Sequence, residues 1–127
     1  MIKGRLLLLF VIILMFSTCK STMSAQDEKN NTSKNIPVCI QQKIDDFKKQ
    51  PIANPPISIY QYNYNRNIVY YITAPCCDRY TTLYDENCNI ICHPSGGITG
   101  KGDGKCNDFF EKRSNEKIIW KDNRTSK

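Results

Sequence analysis

The chain has 127 residues, 18 of them Lys or Arg and 12 Asp or Glu, for a formal charge of +6. That length leaves room for one domain beyond a targeting segment. The basic residues are spread along the chain and form no dense stripe, which argues against a nucleic-acid partner.

The first element is a leader. Lys3 and Arg5 precede the apolar run Leu6 to Phe16, which is followed by Ser17, Thr18 and Cys19. A charged start, a short apolar centre and small residues before a cut form the layout of an export signal. The run is too short to cross a bilayer comfortably, for which about 20 residues are needed. Residues 1–18 therefore read as a signal peptide, and Phe16-Ser17-Thr18-Cys19 resembles the lipobox of bacterial lipoproteins, which implies a lipid on Cys19. Cleavage nearer Ser24 or Ala25 is the alternative. Residues 19–35 lack apolar periodicity and are rich in Ser, Thr, Asn and Lys, the composition of a flexible tether.

One domain is expected over residues 36–124. Ile36, Ile40, Ile44 and Phe47 share one face at helical spacing, so Pro37 to Gln50 reads as a helix ended by Pro51. Ile57 to Tyr62 and Ile68 to Thr73 read as strands joined by a turn at Tyr64-Asn65-Arg66-Asn67. In the first strand Ile57 and Ile59 face one side, while Tyr60, Tyr62 and Tyr64 face the other. Thr81 to Asp85 and Cys88 to Cys92 suggest a second hairpin, with Cys88, Ile90 and Cys92 on a shared face. Asp108 and Glu111 have capping-box spacing, which predicts a short helix over 108–113, and Lys117 to Lys121 suits a last strand. The fold class is α+β: one N-terminal helix on a small antiparallel sheet, stapled by disulfides, with a short second helix near the C-terminus.

Of the seven cysteines, six remain after Cys19: Cys39, Cys76, Cys77, Cys88, Cys92 and Cys106. An even count in a small exported domain reads as a disulfide framework. A bond between the neighbours Cys76 and Cys77 departs from preferred disulfide geometry, so each is expected to reach a different partner. One of them is assigned to Cys39, with Cys92 or Cys88 bonded to Cys106.

The same cysteines admit a second chemistry. Cys76, Cys77, Cys88 and Cys92 supply soft ligands for a metal, or thiols for redox exchange. No CxxC pair is present, and no metal or other cofactor is assigned. Cys88 to His93 is one residue longer than a haem-attachment motif, and a Cys–His dyad would have to use His93, the single histidine. A third reading is a hydrolase using Asp78, Asp85, Asp103 or Asp108. No catalytic residue is assigned, and the balance leans away from an enzyme.

Residues 95–105 hold five of the six glycines. Such a loop demands positive φ or close backbone approach, and its N–H groups suit an anion nest. It matches neither a phosphate-binding nor a calcium-binding pattern. Gly96, Gly97, Thr99, Gly100, Lys101, Gly102, Asp103 and Gly104 are the candidate binding residues.

Several motifs together carry a resemblance: Ile36-Pro37-x-Cys39-Ile40, Asn54-Pro55-Pro56, Pro75-Cys76-Cys77-Asp78, Leu83-Tyr84-Asp85, and Gly96 through Cys106. Over about Ile36 to Arg124 the chain resembles a family of small bacterial lipoproteins known as a domain of unknown function. At Asn65-Arg66 that pattern leads one to expect Asn-Gly. The resemblance implies a lipid-anchored protein of the Gram-negative envelope, and it carries no activity. The expectation is a non-enzymatic binding or structural module, held to the membrane by a lipid and presenting the glycine loop to an envelope or extracellular partner.

Overall fold

A computed structural model describes residues 36–125. The leader, Cys19 and the tether lie outside the described residues. The elements are α1 (Val38–Lys49), β1 (Ser58–Tyr64), β2 (Asn67–Ile72), β3 (Thr82–Tyr84), β4 (Ile90–Cys92), α2 (Phe109–Lys112) and β5 (Ser114–Lys121). The strands form one antiparallel sheet in the order β4-β3-β2-β1-β5. An α+β plan of a small antiparallel sheet with helices and disulfides is thus borne out. Among the described residues no helix is long and apolar enough to cross a membrane.

The β1–β2 hairpin closes in register, with Tyr64 opposite Asn67. Its two turn residues, Asn65 (φ 49°) and Arg66 (φ 65°), are both left-handed, as a two-residue turn matching the strand twist requires. Arg66 adopts a backbone that glycine would take more readily.

The sheet is covered on both faces. On one, Ile40 and Ile44 of α1 are buried with Ile59, Tyr70 and Ile72. On the other, Tyr62, Tyr64, Val69, Tyr71 and Leu83 surround Phe109 of α2 and the buried Cys92 and Cys106. The tyrosine face of β1 is therefore closed by α2 and the loop ending at Cys106. Phe109 meets Tyr62 and Tyr64 edge-on, with ring centroids 5.6 and 5.3 Å away, and lies nearly parallel to Tyr71 at 5.6 Å. The Tyr62 hydroxyl donates to Glu116 and that of Tyr64 to Asp108, both at 2.6 Å, so neither polar tip is stranded.

Two local expectations are corrected. Asp108 precedes α2 but makes no side-chain cap bond, because its backbone (φ −93°, ψ 1°) lacks the extended conformation a capping box uses. Its carboxylate accepts from Tyr64 and pairs with Lys112 at 2.7 Å instead. Cys88 and Cys92 also do not share a face. Cys88 has a left-handed backbone (φ 62°) outside β4, and the β3–β4 register shifts between Leu83 and Tyr84. The two-residue alternation is broken there, so Cys88 turns toward α1 while Cys92 enters the core beneath α2.

Candidate functional site

The framework explains how loops of this length hold their shape. Cys39 bonds Cys88 and ties α1 to the β3–β4 connection; Cys92 bonds Cys106 and closes the glycine loop. Cys76 bonds Cys77. This last pairing overturns the expectation of separate partners, including the bond to Cys39. The physical reason lies in the faces of the sheet. Cys88 is delivered to Cys39 on one side and Cys92 to Cys106 on the other, which leaves the exposed neighbours to each other. A left-handed backbone at Cys77 (φ 76°) accommodates their ring. The four cysteines considered as a metal or thiol cluster are thus distributed among three disulfides. Among the described residues no group of three His, Cys, Asp or Glu could hold a metal.

The glycine loop divides into a base and a tip. A methyl group on Gly96 would overlap the Arg79 carbonyl oxygen, and one on Gly102 would overlap that of His93. On Gly97 it would lie 2.6 Å from the Tyr80 ring. These three glycines let the loop lie against the chain on either side of β3 and β4. Gly100 and Gly104 face open space.

Several of the loop's N–H groups bond within the chain. Those of Gly96, Gly100 and Gly102 donate to Gly100, Gly97 and Gly96 carbonyls, and that of Asp103 donates to His93. Lys101 N–H reaches the Thr99 hydroxyl, and Lys105 N–H reaches the Asp103 carboxylate at 3.1 Å. What the loop offers outward is its tip, where Ile98 is 94% exposed beside the exposed Thr99, Gly100 and Lys101.

Three of the four acidic candidates, Asp85, Asp103 and Asp108, are committed locally. Asp85 accepts from the N–H groups of Asn87 and Asn89 and from the Asn89 side chain, whose bond leads in holding its carboxyl below the usual range. Partial desolvation pushes Asp103 up, but the Lys105 N–H and neighbouring charges outweigh it and the net shift is downward. Asp108 is held low by Lys112 and then Tyr64, and Asp78 is exposed. His93 Nδ1 donates to the Thr81 carbonyl at 2.9 Å, and its ring lies 5.2 Å from that of Tyr80. Its neighbour Cys92 is bonded to Cys106, so no Cys–His dyad forms.

A feature not foreseen in the sequence is a groove of about 410 Å³. It runs between α1 (Lys43, Asp46 and Phe47), the sheet (Ile72, Thr82 and Tyr84) and the segment Ala74, Pro75, Arg79 and Tyr80. The segment is anchored by the Cys76 N–H, which donates to Asn54 at 2.8 Å. Pro75 and Tyr84 lie in motifs quoted above, but neither motif marks a groove, which exists only once α1 and the loop before β3 fold over the same sheet face.

The family described as a domain of unknown function (DUF6970) matches residues 45–122, a span that takes in the whole sheet, the Cys76–Cys77 pair and the glycine loop. No curated protein and no solved structure matches the chain.

Proposed function

The chain belongs to that family of unknown function, and from this premise we propose that it is a non-enzymatic binding module of the bacterial cell envelope. In this reading Cys19 carries the lipid, residues 19–35 act as a tether, and the domain presents the glycine-loop tip to an envelope or extracellular partner. One observation carries it. Ile98, a large apolar side chain, is 94% exposed on a loop closed by the Cys92–Cys106 disulfide and packed at its base. An isolated exposed isoleucine needs no explanation, but one held on a pre-ordered loop adds apolar contact with little ordering entropy lost on binding.

The test is a photo-crosslinking residue placed at position 98, and at Lys48 as an exposed control, in cells exporting the full chain. A discrete adduct at 98 that is absent at 48 and lost with Cys106→Ser supports the reading. No adduct, or the same pattern at both positions, overturns it. Intact mass before and after reduction addresses the anchor: a lipid adduct on a chain beginning at Cys19 is expected, and an unmodified chain starting elsewhere removes the anchor.

One observation favours a second reading, thiol–disulfide exchange. Cys76 and Cys77 form a disulfide in which both residues are exposed. Two equivalents of a small thiol would reduce it to a dithiol while becoming oxidised to their own disulfide. Limiting glutathione followed by alkylation should label Cys76 and Cys77 before the buried Cys92 and Cys106. Simultaneous labelling of all six removes this reading.

A further inference from the structure

The groove beside α1 has an unbalanced charge. Its lining includes Lys43, Asp46, Arg79 and Asp122. Asp46 is bonded to Lys49 at 3.1 Å, and Asp122 is held by Arg124 at 2.7 and 2.8 Å. Both carboxylates are thus paired with cations outside the lining. Among the described residues no carboxylate lies within 4.0 Å of Lys43 or Arg79. The Lys43 ammonium sits 4.4 Å above the Tyr84 ring, a contact that positions the charge without cancelling it.

Both walls are built before any ligand arrives. The Arg79 backbone is fixed by the close approach of Gly96, and the Tyr80 ring lies between Gly97 and His93. On the facing wall, α1 is pinned to the β3–β4 connection by Cys39–Cys88, and Phe47 stacks on Trp120 with centroids 6.0 Å apart. A groove of this size, with apolar and polar groups sharing its walls, has the form of a small-molecule site.

We propose that the groove binds a small organic acid with a flat apolar body. Lys43 and Arg79 read the acid group, while Tyr80, Pro75 and Phe47 contact the body. An inorganic anion would leave the aromatic and proline walls unused, and a neutral aromatic would leave two cations unpaired. A single ligand carrying both parts satisfies the whole lining. Ile98 does not line the groove, so this site and the loop-tip reading stand or fall separately.

The probes are naphthalene-2-carboxylate and its uncharged analogue naphthalene-2-carboxamide, titrated into the oxidised full chain and followed by amide NMR shifts. The carboxylate should shift amides of Phe47, Thr73 and Tyr80 saturably and bind about tenfold tighter than the carboxamide, from charge-assisted hydrogen bonding. Lys43→Gln and Arg79→Gln should each weaken the carboxylate about fivefold or more, with Arg79→Lys intermediate. Lys48→Gln should leave it unchanged, since Lys48 pairs with Asp45 outside the groove. The native spectrum outside the groove checks the fold of each variant. Equal affinity for both probes, unchanged binding by both glutamine variants, or no saturable shift at these amides overturns the proposal.

Discussion

Asp122 grips Arg124 through two hydrogen bonds, Nε to Oδ1 at 2.8 Å and Nη2 to Oδ2 at 2.7 Å, and so aims the guanidinium at the open end of α1. There Arg124 donates to the carbonyl oxygens of Phe47, Lys48 and Gln50 at 2.8 to 3.1 Å. A helix end leaves carbonyls unpaired, and a cation placed there also suits its dipole. The tail thereby substitutes for the C-terminal glycine that α1 lacks, since Gln50 is extended and Pro51 follows.

This pair sets a dependence on pH. The bond from Arg124 leads in holding the Asp122 carboxyl below its usual range. A depressed carboxyl stabilises the fold fully above its unfolded value, about 3.9, and that contribution is lost as pH falls through the lower folded value. Asp122→Asn should therefore lower the urea midpoint at pH 7, and its difference from the parent should shrink below about pH 4. Arg124→Lys should behave similarly, because a single ammonium cannot bridge the carboxylate and three carbonyls. A difference that stays constant down to pH 2 would detach the effect from the ion pair.

The three disulfides should differ in what they contribute. On the loop-entropy account, Cys39–Cys88, with a separation of 49 residues, is worth about 4 kcal/mol, and Cys92–Cys106, with a separation of 14, about 3 kcal/mol. Replacing buried Cys92 and Cys106 by alanine adds a cavity cost, which brings the two losses close together. Cys76–Cys77 closes almost no loop, so its double alanine variant should cost about 1 kcal/mol or less. Equilibrium urea unfolding of the three double variants measures this, and an equally large loss for Cys76–Cys77 would contradict it.

The glycines make a similar contrast. Gly102→Ala and Gly96→Ala would force a methyl group into backbone carbonyls, which cannot move as a side-chain tip would, and should each cost more than about 3 kcal/mol. Gly100→Ala meets only open space, leaving a left-handed backbone penalty of about 1–2 kcal/mol. Thermal unfolding of the three variants tests the division of the loop into base and tip.

What the sequence disclosed follows the reach of each signal. Helical spacing at Ile40 and Ile44 and the apolar strands around Tyr62 and Val69 are local patterns, and α1, β1 and β2 lie where these patterns put them. The even cysteine count pointed to disulfides, but the partners depend on which sheet face each sulfur reaches. One left-handed residue, Cys88, reversed that face and redirected Cys39. The glycine loop was visible as composition, whereas its division into base and tip depends on contacts with Arg79, Tyr80 and His93. The groove itself was not legible in the sequence, because Lys43 and Arg79 line one groove only through tertiary packing.

The β1–β2 turn offers the sharpest single substitution. Arg66 holds φ at 65° with its side chain in solvent, so nothing in packing repays the steric cost of a Cβ in that region. Arg66→Gly removes a penalty of about 1–2 kcal/mol but increases the freedom of the unfolded chain by about 0.5–1 kcal/mol. The net should be a stabilisation of up to about 1.5 kcal/mol, read as a higher urea midpoint with an unchanged slope. Arg66→Val should move the midpoint the other way, because a β-branched side chain tolerates positive φ least. If Arg66→Gly destabilises while Arg66→Val does not, the turn cannot have two left-handed residues.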